Sequence, residues 1–148
     1  MQLIFTKGPH KYDWLDVVRS DGSAARIECP KQGIIPHDMV HYAVESQLEA
    51  RGFLGRVKAG EEADFRMGAH PESDAVERLV EVFQGDGWSG GHSSPDDMIA
   101  LYAVTCEARQ CPMLAIDAAL MEAVRARIAE LTEQWNAVPV GGTLSLTL

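Results

Sequence analysis

Two histidines four residues apart, His37 and His41, carry the most specific chemistry in this chain. On a helix such a pair lies on one face about 6 Å apart, so both rings can reach one divalent ion, zinc being the ordinary choice. Glu45 stands one turn beyond His41, where it can accept an imidazole N–H and so orient a ligating ring. It cannot share an ion with His37, because eight residues of helix separate them by about 12 Å. His92 is a candidate further ligand, with His10, Cys29 and His70 as others of suitable type, and spacing chooses none of them. His92 belongs to residues 85–94, a glycine-rich stretch expected to form a mobile loop able to close over a site. The plainer reading is an exposed connection anchored by Trp88.

Asp38 lies between the histidines, and two roles are open to it. It is a candidate general base acting on a metal-bound water. If Pro36 is the first helical residue, Asp38 is the third, where a carboxylate reaches back to free amides and meets the positive helix end; this capping role is favoured. The His-Asp-x-x-His spacing resembles the His-Glu-x-x-His helix of zinc metallopeptidases, in which two histidines hold zinc and the intervening Glu is the base. What the resemblance implies is a hydrolytic zinc site on His37 and His41, with Asp38, one methylene shorter, in the place of the Glu. The longer stretch Cys-Pro-Lys-x-Gly-x-x-Pro-His-Asp-x-x-His-x-x-Val-Glu, residues 29–45, is similar to one in an uncharacterised family of small bacterial domains, which implies no particular activity.

Other chemistries are excluded or disfavoured. The 85–94 stretch follows a helix, lacks Lys, and ends at a helix whose Asp96 and Asp97 already meet its positive end, so a phosphate cradle is rejected. Cys29, near Lys31 and His37, can in principle carry a lowered thiol pKa, but no oriented base accompanies it and a plain strand residue is the favoured reading. Cys106 should be inert inside a helix, Cys111 marks a helix end, and the three cysteines show neither a zinc nor a disulfide pattern. No Gly-x-Ser-x-Gly elbow exists, and Tyr42 and Tyr102 read as core-edge aromatics.

The elements that must position these residues follow from periodicity. Residues 2–7, 14–19 and 24–29 alternate as strands, the last two joined at Asp21-Gly22, while 143–148 alternate strictly, with Leu144, Leu146 and Leu148 on one side. From Pro36 the period becomes helical, with Val40, Val44 and Leu48 recurring until Gly52; a weaker helical stretch covers 53–67. A further helix starts near Pro71 and stops at Gly85-Asp86-Gly87. Another is opened by Ser94-Pro95 and runs to about Gln110, apolar all round and therefore expected at the centre. The longest runs from Asp117 to about Trp135.

These elements predict an α+β fold in a single domain, 1–148: an antiparallel sheet of three N-terminal strands plus the C-terminal strand, covered by four to five helices. At 148 residues and 46% hydrophobic content one real core can form without metal or disulfide staples. Residues 1–35 hold five basic and four acidic side chains, whereas residues 36–148 hold eight and eighteen, so the helical part is the acidic part. A net charge of −9 argues against nucleic acid as a partner. No apolar run is long enough for a bilayer and no leader opens the chain, so a soluble cytoplasmic protein is expected. The expected function is a small domain with a divalent-metal site on the 37–45 helix, with hydrolysis as the chemistry such a site would serve. The competing expectation is a non-enzymatic interaction or regulatory module, without cofactor, whose histidines are structural. The small-molecule or protein partner is unspecified in either case.

Overall fold

A computed structural model describes residues 1–48, 50, 52–61 and 70–148. The fold is α+β, as the periodicity predicts. Strands β1 (Gln2–Thr6), β2 (Tyr12–Val18) and β3 (Ala24–Pro30) form an antiparallel meander, and β4 (Thr143–Thr147) adds to the free side of β1, giving the order β3-β2-β1-β4. Period-two alternation sorts the faces. Leu3 opposite Val17 and Phe5 opposite Leu15 turn inward and are fully buried, and Leu146 opposite Leu3 is largely buried with them. On the outer face Arg26 forms a bidentate pair with Asp16, at 2.8 and 2.9 Å, and stacks over Trp14. The chain ends meet: Leu148 N–H donates to Met1 O at 2.9 Å, and the Met1 amine donates to Leu148 O at 3.0 Å.

Five helices cover the inner face: α1 (His37–Glu45), α2 (Phe53–Lys58), α3 (Pro71–Trp88), α4 (Pro95–Ala108) and α5 (Ala118–Asn136). The capping signals act as their chemistry dictates: Ser94 Oγ accepts from Asp97 N–H at 3.1 Å and Asp117 Oδ1 from Leu120 N–H at 2.8 Å. No described helix is long and apolar enough to cross a membrane.

Four expectations about helices need correction. The first helix stops at Glu45 rather than continuing toward Gly52, because the Glu45 side chain folds onto the backbone that follows. Of the predicted 53–67 helix, α2 covers Phe53–Lys58, and residues 62–69 lie outside the described residues. Gly85-Asp86-Gly87 does not end α3. Buried Asp86 holds the helix end by accepting from Ser93 N–H at 3.0 Å and facing Arg125, and a side chain at Gly87 would press on Ile34 at 3.2 Å. Finally, α4 is peripheral: Met98, Tyr102 and Cys106 are buried, but Leu101 and Val104 are 52% and 61% exposed. The central helix is α1, buried from Asp38 through Glu45 and packed on α2, α3 and α5.

Candidate metal centre

The helix that carries the histidines begins one residue later than expected. Pro36, with φ −52° and ψ 146°, is the N-cap, His37 the first helical residue and Asp38 the second. That shift removes Asp38 from the third position, from which a carboxylate reaches back to cap. It accepts instead from the Cys29 thiol on β3, 3.7 Å away, and the helix start has no side-chain cap, so the favoured capping role is not what the structure contains. Burial pushes the Asp38 pKa up, against the charges of His41 and His37, which pull it down. The carboxylate lies on the sheet side of α1. Cys29 is no activated nucleophile either, since desolvation, aided by the Asp38 charge, pushes its thiol well above the ordinary range.

His37 and His41 do share a face, and α3 supplies what they meet there. Their Nε2 atoms are 3.1 Å apart, and the Glu77 carboxylate spans both, Oε1 at 3.2 Å from His37 Nε2 and Oε2 at 2.8 Å from His41 Nε2. Glu77 and Gln84 are two turns apart on α3 and therefore face α1 together.

The far side of each ring is fixed as firmly. Glu45 Oε1 accepts from the amides of Gly52 at 2.9 Å and Gly55 at 2.8 Å, and Oε2 from Leu54 N–H at 3.1 Å and His41 Nδ1 at 2.9 Å. With backbone N–H donors as its other three neighbours, Glu45 is acceptor only, and His41 must carry its proton on Nδ1. Gln84 Oε1 faces His37 Nδ1 at 3.0 Å and assigns the same tautomer to that ring. Both Nε2 lone pairs therefore point at each other and at a carboxylate. Three acceptors within hydrogen-bond distance, one of them buried, require a cation between them.

That cation is a proton or a metal. As a proton it turns His41 into an imidazolium: burial alone would lower its pKa, but hydrogen bonds to Glu45 and Glu77 and their charges outweigh burial and raise it to about 10. His37 is raised on the same balance, burial opposed chiefly by its bond to Glu77. Glu77 is held well below the carboxylate range, because bonds and charges from both histidines outweigh its own desolvation. As a metal, the cation finds three ligand atoms within 4.8 Å of one another. Tetrahedral bonds of 2.0–2.1 Å place ligand atoms about 3.3 Å apart, so the observed 2.8 to 3.2 Å separations need only a few tenths of an ångström of expansion. The His37-His41-Glu77 group can hold a metal ion.

No protein-family model, curated protein or solved structure matches this chain.

Access is one-sided. His41 is 1% exposed, whereas the His37 and Glu77 side chains are 36% and 30% exposed, so the cluster opens to solvent along the α1–α3 seam. A cavity of about 1010 Å³ lies elsewhere, between the sheet, the end of α3 and α5, lined in part by Lys31, Phe83 and Trp135. The remaining sequence candidates do not join the cluster. His92 is exposed beyond the end of α3, where eleven residues of helix, about 16 Å, separate Glu77 from Trp88. His70 caps α3, its Nδ1 accepting from Ser73 N–H at 3.4 Å, and His10 is exposed at the β1–β2 bend. The 85–94 stretch is not a lid, for Trp88 Nε1–H donates to Gln32 O at 2.8 Å and Asp86 ties down Ser93. Glu77 escaped the sequence reading. Its signal was an acidic residue beside Val76 and Val80 on a stripe that must pack against α1.

Proposed function

We propose that this protein binds one divalent transition-metal ion, zinc by its donor set, through His37 Nε2, His41 Nε2 and the Glu77 carboxylate. The observation that carries the reading is the convergence of two lone pairs and one carboxylate while both Nδ1 positions are committed to Glu45 and Gln84. Two imidazoles and one carboxylate from the protein leave a coordination position for water or a substrate oxygen, the composition of catalytic rather than structural zinc sites. A bound ion would supply Lewis acidity and a more acidic water, and metal-assisted hydrolysis is the reaction class that follows. Asp38, buried on the sheet side against the Cys29 thiol, stands outside the ligand set.

The test is elemental analysis of tag-free protein purified without chelator, alongside His41→Ala. One equivalent of metal in the parent and none in the variant supports the reading; metal-free parent protein that takes up no added zinc overturns it. A non-enzymatic interaction module is the second reading, favoured by the exposed Leu101 and Val104 on α4. The same overturning result would leave it standing.

A further inference from the structure

The end of α4 carries a second cluster, unrelated to the metal centre. Gln110 has φ 55°, the only non-glycine residue among those described with positive φ. Around it Gln110 N–H donates to Glu107 O and Cys111 N–H reaches back to Cys106 O, each at 3.1 Å. Such a left-handed cap brings together the side chains two residues beyond the C-cap and three before it, ordinarily as a hydrophobic contact. Here both positions are cysteine.

Cys106 is 2% exposed, and Cys111 packs on the same core while remaining partly exposed. The cap therefore sets the two thiol side chains against the same core at one end of the helix. Tyr102, one turn before Cys106, fixes the surroundings: its hydroxyl donates to Ala75 O at 2.9 Å and accepts from Leu114 N–H at 3.2 Å, tying α3 to the segment after Cys111. Cys29, on β3, faces Asp38 instead.

We propose that Cys106 and Cys111 are a reversible thiol–disulfide pair, oxidised by hydrogen peroxide and reduced by a dithiol. The partly exposed Cys111 sulfur attacks one peroxide oxygen; the S–O bond forms as the O–O bond breaks, and the departing oxygen takes that electron pair and the thiol proton, leaving Cys111 sulfenic acid and one water. The Cys106 sulfur then displaces hydroxide from the sulfenic sulfur, its proton leaving with that hydroxide as a second water. Two thiols lose two electrons and one peroxide becomes two waters. Burial holds the Cys106 thiol above its ordinary range, so this closing step quickens as pH rises.

The experiment treats the folded 148-residue chain with hydrogen peroxide, measures intact mass, then unfolds and alkylates it. The expected product has lost two hydrogens and alkylates at Cys29 alone, whereas reduced protein alkylates at all three cysteines; dithiothreitol restores all three. Cys111→Ser and Cys106→Ala should each abolish the mass loss while Cys29→Ala retains it. If Cys106→Ala fails to fold, Cys111→Ser carries the test, since Cys111 is partly exposed and serine is nearly the same size. Sulfinic acid on Cys111 without loss of mass, a bridge to Cys29, or a disulfide joining two chains through Cys111 would overturn the proposal.

Discussion

Replacing Glu45 with Gln is the sharpest perturbation of the metal reading, because it alters neither the proposed ligands nor the shape of the core. The Gln carbonyl oxygen can keep the amides of Gly52 and Gly55. Its NH₂ then faces the two donors that Oε2 served, Leu54 N–H and His41 Nδ1–H. The conflict with His41 is relieved if the imidazole changes tautomer, accepting at Nδ1 and moving its proton to Nε2. That proton occupies the lone pair that would bind metal. Loss of such an orienting partner costs 10–100-fold in metal affinity, about 1.4–2.7 kcal/mol. The stranded buried Leu54 N–H costs about 1–3 kcal/mol of stability, and each kcal/mol lowers Tm by about 2–4 °C at this chain length. Zinc affinity by competition with a chromogenic chelator and Tm by circular dichroism separate the two effects. A variant that loses stability but binds zinc as tightly as the parent would refute the tautomer argument.

Three further outcomes follow from the same neighbourhood. Gly52→Ala should destabilise by at least about 2 kcal/mol in urea, since its Cβ would stand 2.5 Å from Val76 Cγ1 and 2.6 Å from Glu45 Cδ; parent-like stability would show that Glu45 is not packed as described. In metal-free protein the raised His41 pKa gives a contribution fully present below about pH 6.5 and lost as pH rises through about 10. The lowered Glu77 pKa gives one present above about pH 4.5 and lost in acid. Tm measured in chelator should therefore fall from pH 6.5 to pH 10 in the parent and much less in Glu77→Gln, while zinc affinity rises with pH over the lower part of that range. Asp38→Asn should raise or preserve Tm at pH 8, because the folded state favours the neutral form of this carboxyl; a loss of about 0.5–2 kcal/mol would restore the capping role.

What could be read before folding was whatever depends on near neighbours in sequence. Alternation of Leu3 with Phe5 and of Leu15 with Val17 gave the inner face of the sheet, and Ser94-Pro95 and Asp117 gave their helix starts. The His37–His41 pair and Glu45 were legible for the same reason, all three lying on one short helix at successive spacings of four. Glu77 was not, because its role depends on α3 crossing α1 at one register, a fact stored in the packing of Val76, Leu79 and Val80 and not in any spacing to His37. The apolar circumference of α4 pointed to burial that Leu101 and Val104 do not have. Gly85 and Gly87 looked like breakers, but Asp86 between them is anchored by Ser93 and Arg125, residues that only tertiary structure brings near. The start of α1 slipped by one residue, enough to change what Asp38 does.

The central claim is that Glu77 completes a metal site begun by His37 and His41, and zinc titration of the tag-free parent and of Glu77→Gln tests it most directly. The account predicts one ion per chain, a Kd tighter than about 1 μM in the parent, and a loss of at least about 1.4 kcal/mol, tenfold, in the variant. Parent protein that binds no tighter than micromolar, or a Glu77→Gln protein that binds as well as the parent, would contradict it.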